Sequence, residues 1–275
     1  MAGPQRILRL GWVSITNPET DAWRSAVLNA GGFVTDGQTG NVDTLVSALK
    51  SEMSVSSLAA QWPRIWLEVS ECWQQSWYDL ANAAQPSSFL GTGTFASRWA
   101  LATGYTGNGS DNAIDSGVFA NDVCTQNSAS IIIAYMNNRT ITGPYGGAGA
   151  TNNAFYFNVK VGSATTGPLN SSSGATFTDY AGTQGLYILD RAASDEMRLW
   201  RNKVANASNP VSNTSEAPGT TNTIYLGGRN EGTLNIPSAD SHGLYALGLS
   251  VGAAHVDGVS DAFNDYLDYF GASLY

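Results

Sequence analysis

The sequence predicts a mainly β protein: a two-sheet jelly-roll sandwich with an N-terminal helical segment and a short C-terminal helix. At least seven short apolar segments follow residue 95, and turns rich in Gly, Asn, Ser and Thr separate them with no helical pattern between. Charged residues make up only 13% of the 275 residues, about half the usual share, so hydroxyl and amide side chains supply most of the polarity. Helical periodicity is confined to the two ends of the chain.

Residues 1–63 are predicted to be a helical docking segment. Pro18 suits the first turn of a helix that Asn17 can cap, and Trp23 begins an apolar stripe at spacings of three and four. A second amphipathic helix is predicted to have Asn41 as its N-cap. Short amphipathic helices do not bury their apolar faces alone, so these must pack on the rest of the chain or on another subunit.

Residues 64–275 are predicted to form the sandwich. The segment "SIIIAYM" is apolar on both faces, which predicts a central strand. "QGLYILDR" and "EMRLWRN" flank a four-residue turn, which predicts a hairpin. "AFYFNVKV" alternates, with one face formed by Phe155, Phe157, Val159 and Val161. The closing "DGVSDAFNDYLDYFG" has the apolar spacing of a helix, which Gly271 ends.

The net charge of −9 argues against two classes of partner. With 13 Lys and Arg spread along the chain and a pI near 4.5, we expect no binding to nucleic acid or to anionic membranes. The opening "MAGPQRILRLGWV" has no apolar run of the signal-peptide type, so we expect a soluble product made in the cytoplasm. Cys72 and Cys124 are expected to be buried thiols, and a bridge between them stays open at this point.

The order of the segments carries a resemblance. "GYTGNGSDNAIDSGV" resembles the entry strand of concanavalin A-like (laminin-G-like) jelly rolls, "YILDRAASDEMRLWRN" and "IYLGGRNEG" are similar to their later strands, and "HGLYALGLSVGAAHVDGVSDAFNDYLDYFG" to their last strand and closing helix. Four segments precede these strands in the chain: "NPETDAWRSAVLNAGG", "NVDTLVSALK", "QWPRIW" and "SWYDLANAA". In this order of segments the chain resembles a family of tailed-bacteriophage virion proteins. One turn departs from that family, because Asn202-Lys203 stands where it usually has Asn-Gly.

The resemblance implies a structural or accessory subunit of a phage particle: a head decoration, a fibre or a tail-associated protein. Its partners would be other virion proteins and further copies of itself, with the helical segment as the attachment element. The protein would be made in the host cytoplasm and reside in the virion. The alternative function is a lectin-like module that binds cell-surface glycans during adsorption, which the jelly-roll fold supports only by analogy.

Few residues have the types and spacing that catalysis, metal binding or ligand binding requires. "GNGSDNAIDSGV" is predicted to be a turn and an edge strand, with calcium or ligand contacts through Asp111 and Asp115 as the alternatives, although it lacks the Glu of an EF-hand loop. His242 and His255 lack metal-ligand spacing and are expected at the surface or at caps. Neither "ETDAWR" nor "EVSE" matches the paired carboxylates of jelly-roll glycosidases. We therefore predict no catalytic residue, no metal, no cofactor and no enzymatic activity, which also counts against a glycan hydrolase.

Aromatic residues remain as candidate contacts. Met197 and Leu199 should face the core, which leaves Trp200 on the opposite side with Glu196 and Arg198. Such a Trp can stack on a sugar or anchor a protein interface, or it can pack under a loop or under the helices. A seam between helices and sandwich, or a subunit contact, is predicted for Trp23, Trp62, Trp66 and Trp73.

Overall fold

The computed structural model describes residues 14–137, 143–149, 153–159, 165–178, 184–235 and 237–275. Two β-sheets stack to form a sandwich, and helices cover the outer face of one of them. This architecture confirms the predicted mainly β, two-sheet sandwich with helices before it and one after it. The helices are α1 (Pro18–Asn29), α2 (Asp36–Met53), α3 (Trp73–Trp77), α4 (Ala120–Val123) and α5 (Val256–Asp268), with 3₁₀ turns at Leu58–Ala60, Phe95–Arg98 and Ala253–His255.

The first sheet is the one that the helices cover. Its spatial order is β14 (Val204–Ala205), β13 (Glu196–Arg201), β12 (Gly185–Arg191), β6 (Ala129–Tyr135), β19 (Ser241–Gly248), β4 (Gly104–Thr106) and β3 (Trp99–Ala100), with β1 (Arg64–Trp66) beside β19 and β15 (Val211–Ser212) beside β13. Strand β6 pairs along its length with β12 on one side and β19 on the other, so the predicted central position of "SIIIAYM" is confirmed.

The second sheet is built from shorter strands. Its order is β11 (Ala175–Phe177), β9 (Thr165–Gly167), β8 (Ala154–Val159), β7 (Gly143–Ala148), β16 (Tyr225–Leu226), β5 (Ala113–Asp115) and β2 (Ser88–Leu90), with β10 (Leu169–Ser171) beside β8, β17 (Arg229–Asn230) beside β7 and β18 (Leu234–Asn235) beside β17. Almost every pair in both sheets is antiparallel, as expected for a sandwich of this type.

The first sheet contains the predicted hairpin and a second one that follows it directly. Strands β12 and β13 pair through the register Ile188 with Trp200, and β13 continues into β14. The second turn consists of Asn202 and Lys203, both with positive φ (48° and 69°), the left-handed pair that a two-residue hairpin needs. The departure from Asn-Gly at Asn202-Lys203 therefore leaves the turn in place.

One hydrophobic core fills the space between the sheets. Strand alternation places Ile131, Ile133 and Leu189 of the first sheet against Phe155 and Phe157 of the second, all of them buried. The predicted inward face of "AFYFNVKV" is thus confirmed for Phe155 and Phe157, while the side chains of Val159 and Val161 lie outside the described part of the chain. Removing this apolar surface from water is the main stabilising term of the sandwich.

A second core lies on the outer face of the first sheet, under the helices. Ile132 and Ile188 project to that side, where Val46 of α2 and Phe263 of α5 belong to the same buried cluster. The helical segment therefore packs on its own chain. Helix α2 begins after Thr35, whose hydroxyl accepts the Gln38 amide at 3.1 Å, so the prediction of an N-cap at Asn41 was wrong.

Buried polar groups fasten the connections between these layers. Asp190 at the end of β12 accepts hydrogen bonds from the amides of Val251 and Gly252 and from the Ser250 hydroxyl, at 2.8, 3.3 and 2.9 Å. These bonds fix the turn that leads into α5. Burial raises the pKa of Asp190 to about 6. No helix in the described ranges is both long and apolar enough to cross a membrane.

Candidate functional site

A polar pocket lies at one end of the sandwich, where the β7–β8 hairpin meets the segment leading into β16. Its cavity volume is about 90 Å³, which is smaller than the roughly 300–1,000 Å³ of common small-molecule sites. We name it the rim pocket, and it is lined by Ala120, Ala148, Gly149, Asn153, Gly219, Thr220, Thr221 and Asn222.

One wall of the rim pocket belongs to the segment 213–224, which is irregular yet firmly held. The backbone amides of Asn213, Glu216 and Ile224 donate to carbonyls of other segments at 2.7, 2.6 and 2.8 Å. The buried guanidinium of Arg191 also donates to the Asn213 carbonyl, at 2.8 Å. Burial lowers the pKa of Arg191 to about 10, which leaves it charged at neutral pH. The wall is thus positioned before any ligand arrives.

The polar side chains of the rim pocket are not used to hold the fold. The side chains of Asn153, Thr220, Thr221 and Asn222 make no hydrogen bond to another described residue. Asparagine amides elsewhere in the chain tie turns and loops together, among them those of Asn17, Asn112, Asn170, Asn206, Asn209, Asn213 and Asn230. The amides and hydroxyls at the pocket are therefore available to a ligand.

The rim pocket is electrically neutral. All eight lining residues are uncharged. Beside it, the Glu216 carboxylate accepts the Asn153 backbone amide at 3.0 Å, and hydrogen bonds from Ser172 and Asn153 lower the pKa of Glu216. Amide and hydroxyl groups both donate and accept hydrogen bonds. This lining matches a neutral ligand with several hydroxyl groups.

The structure buries the aromatic residue predicted as a ligand contact. Trp200 does lie on the opposite side of β13 from Met197 and Leu199, as predicted, but it is only 6% exposed and belongs to the core under the helices. It is therefore not available to stack on a sugar. Arg198 and Glu196 are half-buried and pair with each other at 2.8 Å.

The four tryptophans predicted for a seam separate into three environments. Trp23 and Trp62 lie in the core under the helices, where Trp62 contacts Phe263 edge to face. Trp66 lies between the two sheets instead, because it points to the other side of β1. Trp73 is exposed at the start of α3.

The two cysteines are free thiols, and the first sheet separates them. Cys72 belongs to the core under the helices and Cys124 to the core between the sheets, and both are buried as expected. The structure therefore has no bridge between Cys72 and Cys124. Burial raises the pKa of the Cys124 thiol to about 12, so this group is protonated and unreactive at neutral pH.

The glycine-rich segment 107–118 is a turn followed by a strand. The side-chain oxygen Oδ1 of Asn108 accepts hydrogen bonds from the backbone amides of Ser110, Asp111 and Asn112 at 2.9 to 3.1 Å, which forms an Asx-type turn. The prediction of an edge strand was wrong, because β5 is paired on both sides by β2 and β16. Across the ranges that the structure covers, no three His, Cys, Asp or Glu side chains group closely enough to hold a metal ion.

The two histidines have different environments. His255 is half-exposed at the start of α5 and pairs with Glu52 at 2.9 Å, in line with the expectation of a surface or capping role. The same expectation was wrong for His242, which is fully buried in β19 with its Nδ1 atom 2.6 Å from the Tyr245 hydroxyl. His242 is the second residue of β19, and its ring packs edge to face against Tyr135 and Tyr245.

Two exposed aromatic residues lie in segments of the helical layer that hydrogen bonds join. Phe33 is 54% exposed and Trp73 is 37% exposed. The carbonyl of Phe33 accepts hydrogen bonds from the Gln75 amide at 2.7 Å and the Cys72 thiol at 3.4 Å, which fixes the loop after α1 against α3. We name Phe33 and Trp73 the aromatic pair. Exposed aromatic residues are typical of protein interfaces.

Comparison with known proteins gives similarity in structure alone. No family model and no curated protein matches the sequence. Among solved structures, domain 4 of AbnA, a GH43 extracellular arabinanase from Geobacillus stearothermophilus, is 13% identical with a TM-score of 0.43, over 73% of this chain and 98% of that domain. Trypanosoma rangeli sialidase is 11% identical with a TM-score of 0.45, over 80% of this chain. A SAP-like pentraxin from Limulus polyphemus is 13% identical with a TM-score of 0.36, over 50% of this chain and 71% of that one.

These similarities bear on one prediction. The expectation that the chain is not an enzyme is contradicted, because the similar structures are a glycoside hydrolase domain and sialidases, and it is withdrawn. The chain spans about two fifths of the sialidase, 38% of its length. With identities this low and TM-scores below 0.5, these structures give no information on a substrate or a reaction of this chain.

Sequence reasoning missed both surfaces. The rim pocket joins residues near 150 to residues near 220, and each stretch alone is an ordinary Gly/Asn/Thr turn. Phe33 follows the two glycines that end α1, and its exposure depends on how the loop packs against α3. A partial signal existed in Phe33 itself, a large apolar residue that directly follows Gly31 and Gly32.

Proposed function

We propose that the chain is a subunit of a tailed-bacteriophage particle, where it assembles with other virion proteins and with further copies of itself. The resemblance in the order of sequence motifs supports this role. So does the observed sequence of elements, a helical pair, a short strand, an arm and a sandwich, in the same order. The aromatic pair indicates which surface of the chain would contact a partner, because exposed aromatic residues drive protein association.

The helical layer supplies that surface in a specific way. Its apolar stripe is already buried on the first sheet, so attachment uses the outward side of the helices and their loops. Phe33 and Trp73 lie on this side, held by hydrogen bonds between the loop and α3. Burying both aromatic rings against a partner would remove enough apolar area to dominate a small interface.

A particle-incorporation experiment tests this proposal. Phage lacking the gene is grown in cells that supply the wild-type chain, the double variant Phe33→Ser/Trp73→Gln, or the control Leu101→Ser. Leu101 is equally exposed, at 53%, but lies in the turn between β3 and β4. Quantitative mass spectrometry of purified particles then gives the copy number of each chain.

We expect wild type and Leu101→Ser at equal copy number in particles and the double variant at least about tenfold lower, the loss of one hot-spot contact. Absence of the wild-type chain from particles would reject the virion role. Equal incorporation of the double variant, with its folding confirmed by urea unfolding, would reject the aromatic pair as the attachment surface. Light scattering of the purified chain tests self-association in the same set of variants.

A second candidate function is glycan binding during adsorption. The observation in its favour is the neutral lining of the rim pocket with unbonded amides and hydroxyls. A glycan array probed with the purified chain tests it, and binding of no saccharide at millimolar concentration would count against it. The two functions are compatible, since a particle subunit can present a sugar site.

A further inference from the structure

We infer that the rim pocket is a binding site for a single neutral saccharide ring, held by the side chains of Asn153, Thr220, Thr221 and Asn222. This inference rests on the second candidate function and gives it a location. It is independent of whether the chain resides in a phage particle.

The lining of the pocket selects the ligand class. An anionic ligand favours cationic side chains, and none of the eight described lining residues is charged. The carboxylate of Glu216 beside the pocket and the net charge of −9 both repel anions further. An apolar ligand requires large hydrophobic walls, whereas the apolar lining here is limited to Ala120, Ala148 and two glycines. A neutral molecule with several hydroxyl groups remains.

Small residues line the narrow part of the pocket, where a larger side chain would block a ligand. A Cβ atom on Gly219 would lie 3.1 Å from the Asn153 carbonyl oxygen, so the two sides of the pocket approach closely there and a side chain would crowd the gap. Ala148 is buried and forms part of the floor. A ring placed above this floor can exchange hydrogen bonds with Thr220, Thr221 and Asn222 along one wall.

The same lining sets the affinity. No aromatic residue is among the eight, so a sugar ring gains hydrogen bonds but no stacking. Ligand efficiencies at the low end then place the Kd of one ring at about 1–10 mM. Weak single sites become effective when many copies are displayed together, which suits a subunit present in multiple copies.

The experiment is a titration followed by NMR. Neutral probes are D-glucose, D-galactose, D-mannose and N-acetyl-D-glucosamine, and the charged probe is D-glucuronate, each added to the ¹⁵N-labelled full chain up to about 100 mM, tenfold above the expected Kd. Pocket variants are Thr221→Val and Asn222→Asp. Matched controls are Thr103→Val and Asn29→Asp, at exposed positions outside the pocket.

We expect at least one neutral sugar to give saturable shifts confined to residues around the rim pocket. Each pocket variant should raise its Kd by about tenfold, the effect of one lost hydrogen bond, and each control by less than about twofold. Unshifted amide signals outside the pocket will show that every variant is folded.

Three results would overturn the inference. Shifts that map to another surface, or a Kd unchanged by both pocket variants, would reject the rim pocket while glycan binding stands. Binding of glucuronate alone would reject the neutral ligand class. No shift with any neutral sugar at the highest concentration would reject the site and the second candidate function together.

Discussion

Asp79 is a buried carboxyl group whose removal should change the pH dependence of stability in a defined direction. The residue is fully buried, and its Oδ1 atom accepts the backbone amides of Ile65 and Ala81 at 2.9 and 2.8 Å. Its Oδ2 atom lies 3.5 Å from the guanidinium of Arg64. Burial outweighs these interactions and raises the pKa of Asp79 from 3.8 to about 7.

The direction in which Asp79 changes stability with pH follows from proton linkage. Between pH 3.8 and about 7 the unfolded chain releases the Asp79 proton while the folded chain keeps it, so this group destabilises the fold as the pH rises. At 1.36 kcal/mol for each pH unit between the two pKa values, the full effect is about 4 kcal/mol. In Asp79→Asn the amide oxygen can still accept from Ile65 and Ala81, and the titration is absent.

Urea unfolding of wild type and Asp79→Asn from pH 4 to pH 8, followed by tryptophan fluorescence and circular dichroism, measures this difference. The two proteins should have similar unfolding free energies near pH 4, and the variant should be more stable by about 4 kcal/mol near pH 8. Curves that stay parallel across this range would refute the reasoning, as would a wild type that gains on the variant as the pH rises.

Three further predictions use the same urea assay. Trp200→Ala should lower the unfolding free energy by about 3–5 kcal/mol, because the ring is buried under the helices, and a loss below about 1 kcal/mol would place it at the surface instead. Arg191→Met should cost about 2–4 kcal/mol and weaken sugar binding, since the carbonyls of Leu169 and Asn213 lose their donor; unchanged stability would contradict this. Burial raises the pKa of Glu68 although the backbone amide of Tyr105 opposes the shift, so Glu68→Gln should stabilise the fold at pH 8 and not at pH 4, and the reverse would be decisive against it.

Strand periodicity carried most of the fold prediction. The alternation in β8 and β13 assigned Phe155, Phe157, Met197 and Leu199 to the correct side, because neighbouring side chains in a strand point to opposite faces. The same alternation placed Trp200 away from the inner core but gave no information on what covers it. Its cover comes from helices far away in sequence, which a local pattern does not contain.

Helix boundaries and the candidate sites were harder to predict from the sequence, and both for the same reason. Helix α2 extends back to Asp36 through glycines of low helix propensity, because packing on α5 supports that turn: the Asn41 side chain donates to the Tyr266 carbonyl at 3.2 Å. The rim pocket likewise exists only once β7, β8 and the segment 213–224 have come together. Tertiary contacts decide both features, and neither leaves a periodic signal.

The chain's own helices close the outer face of the first sheet, so the apolar side of that sheet is not free to bind a partner. Native-state hydrogen exchange in increasing urea tests it most directly. The amides of Leu45, Val46 and Leu49 in α2 should exchange through the same global opening as those of β6, because both belong to one packed unit. Exchange of α2 at a free energy several kcal/mol lower, independent of β6, would show that the helices do not hold that face closed.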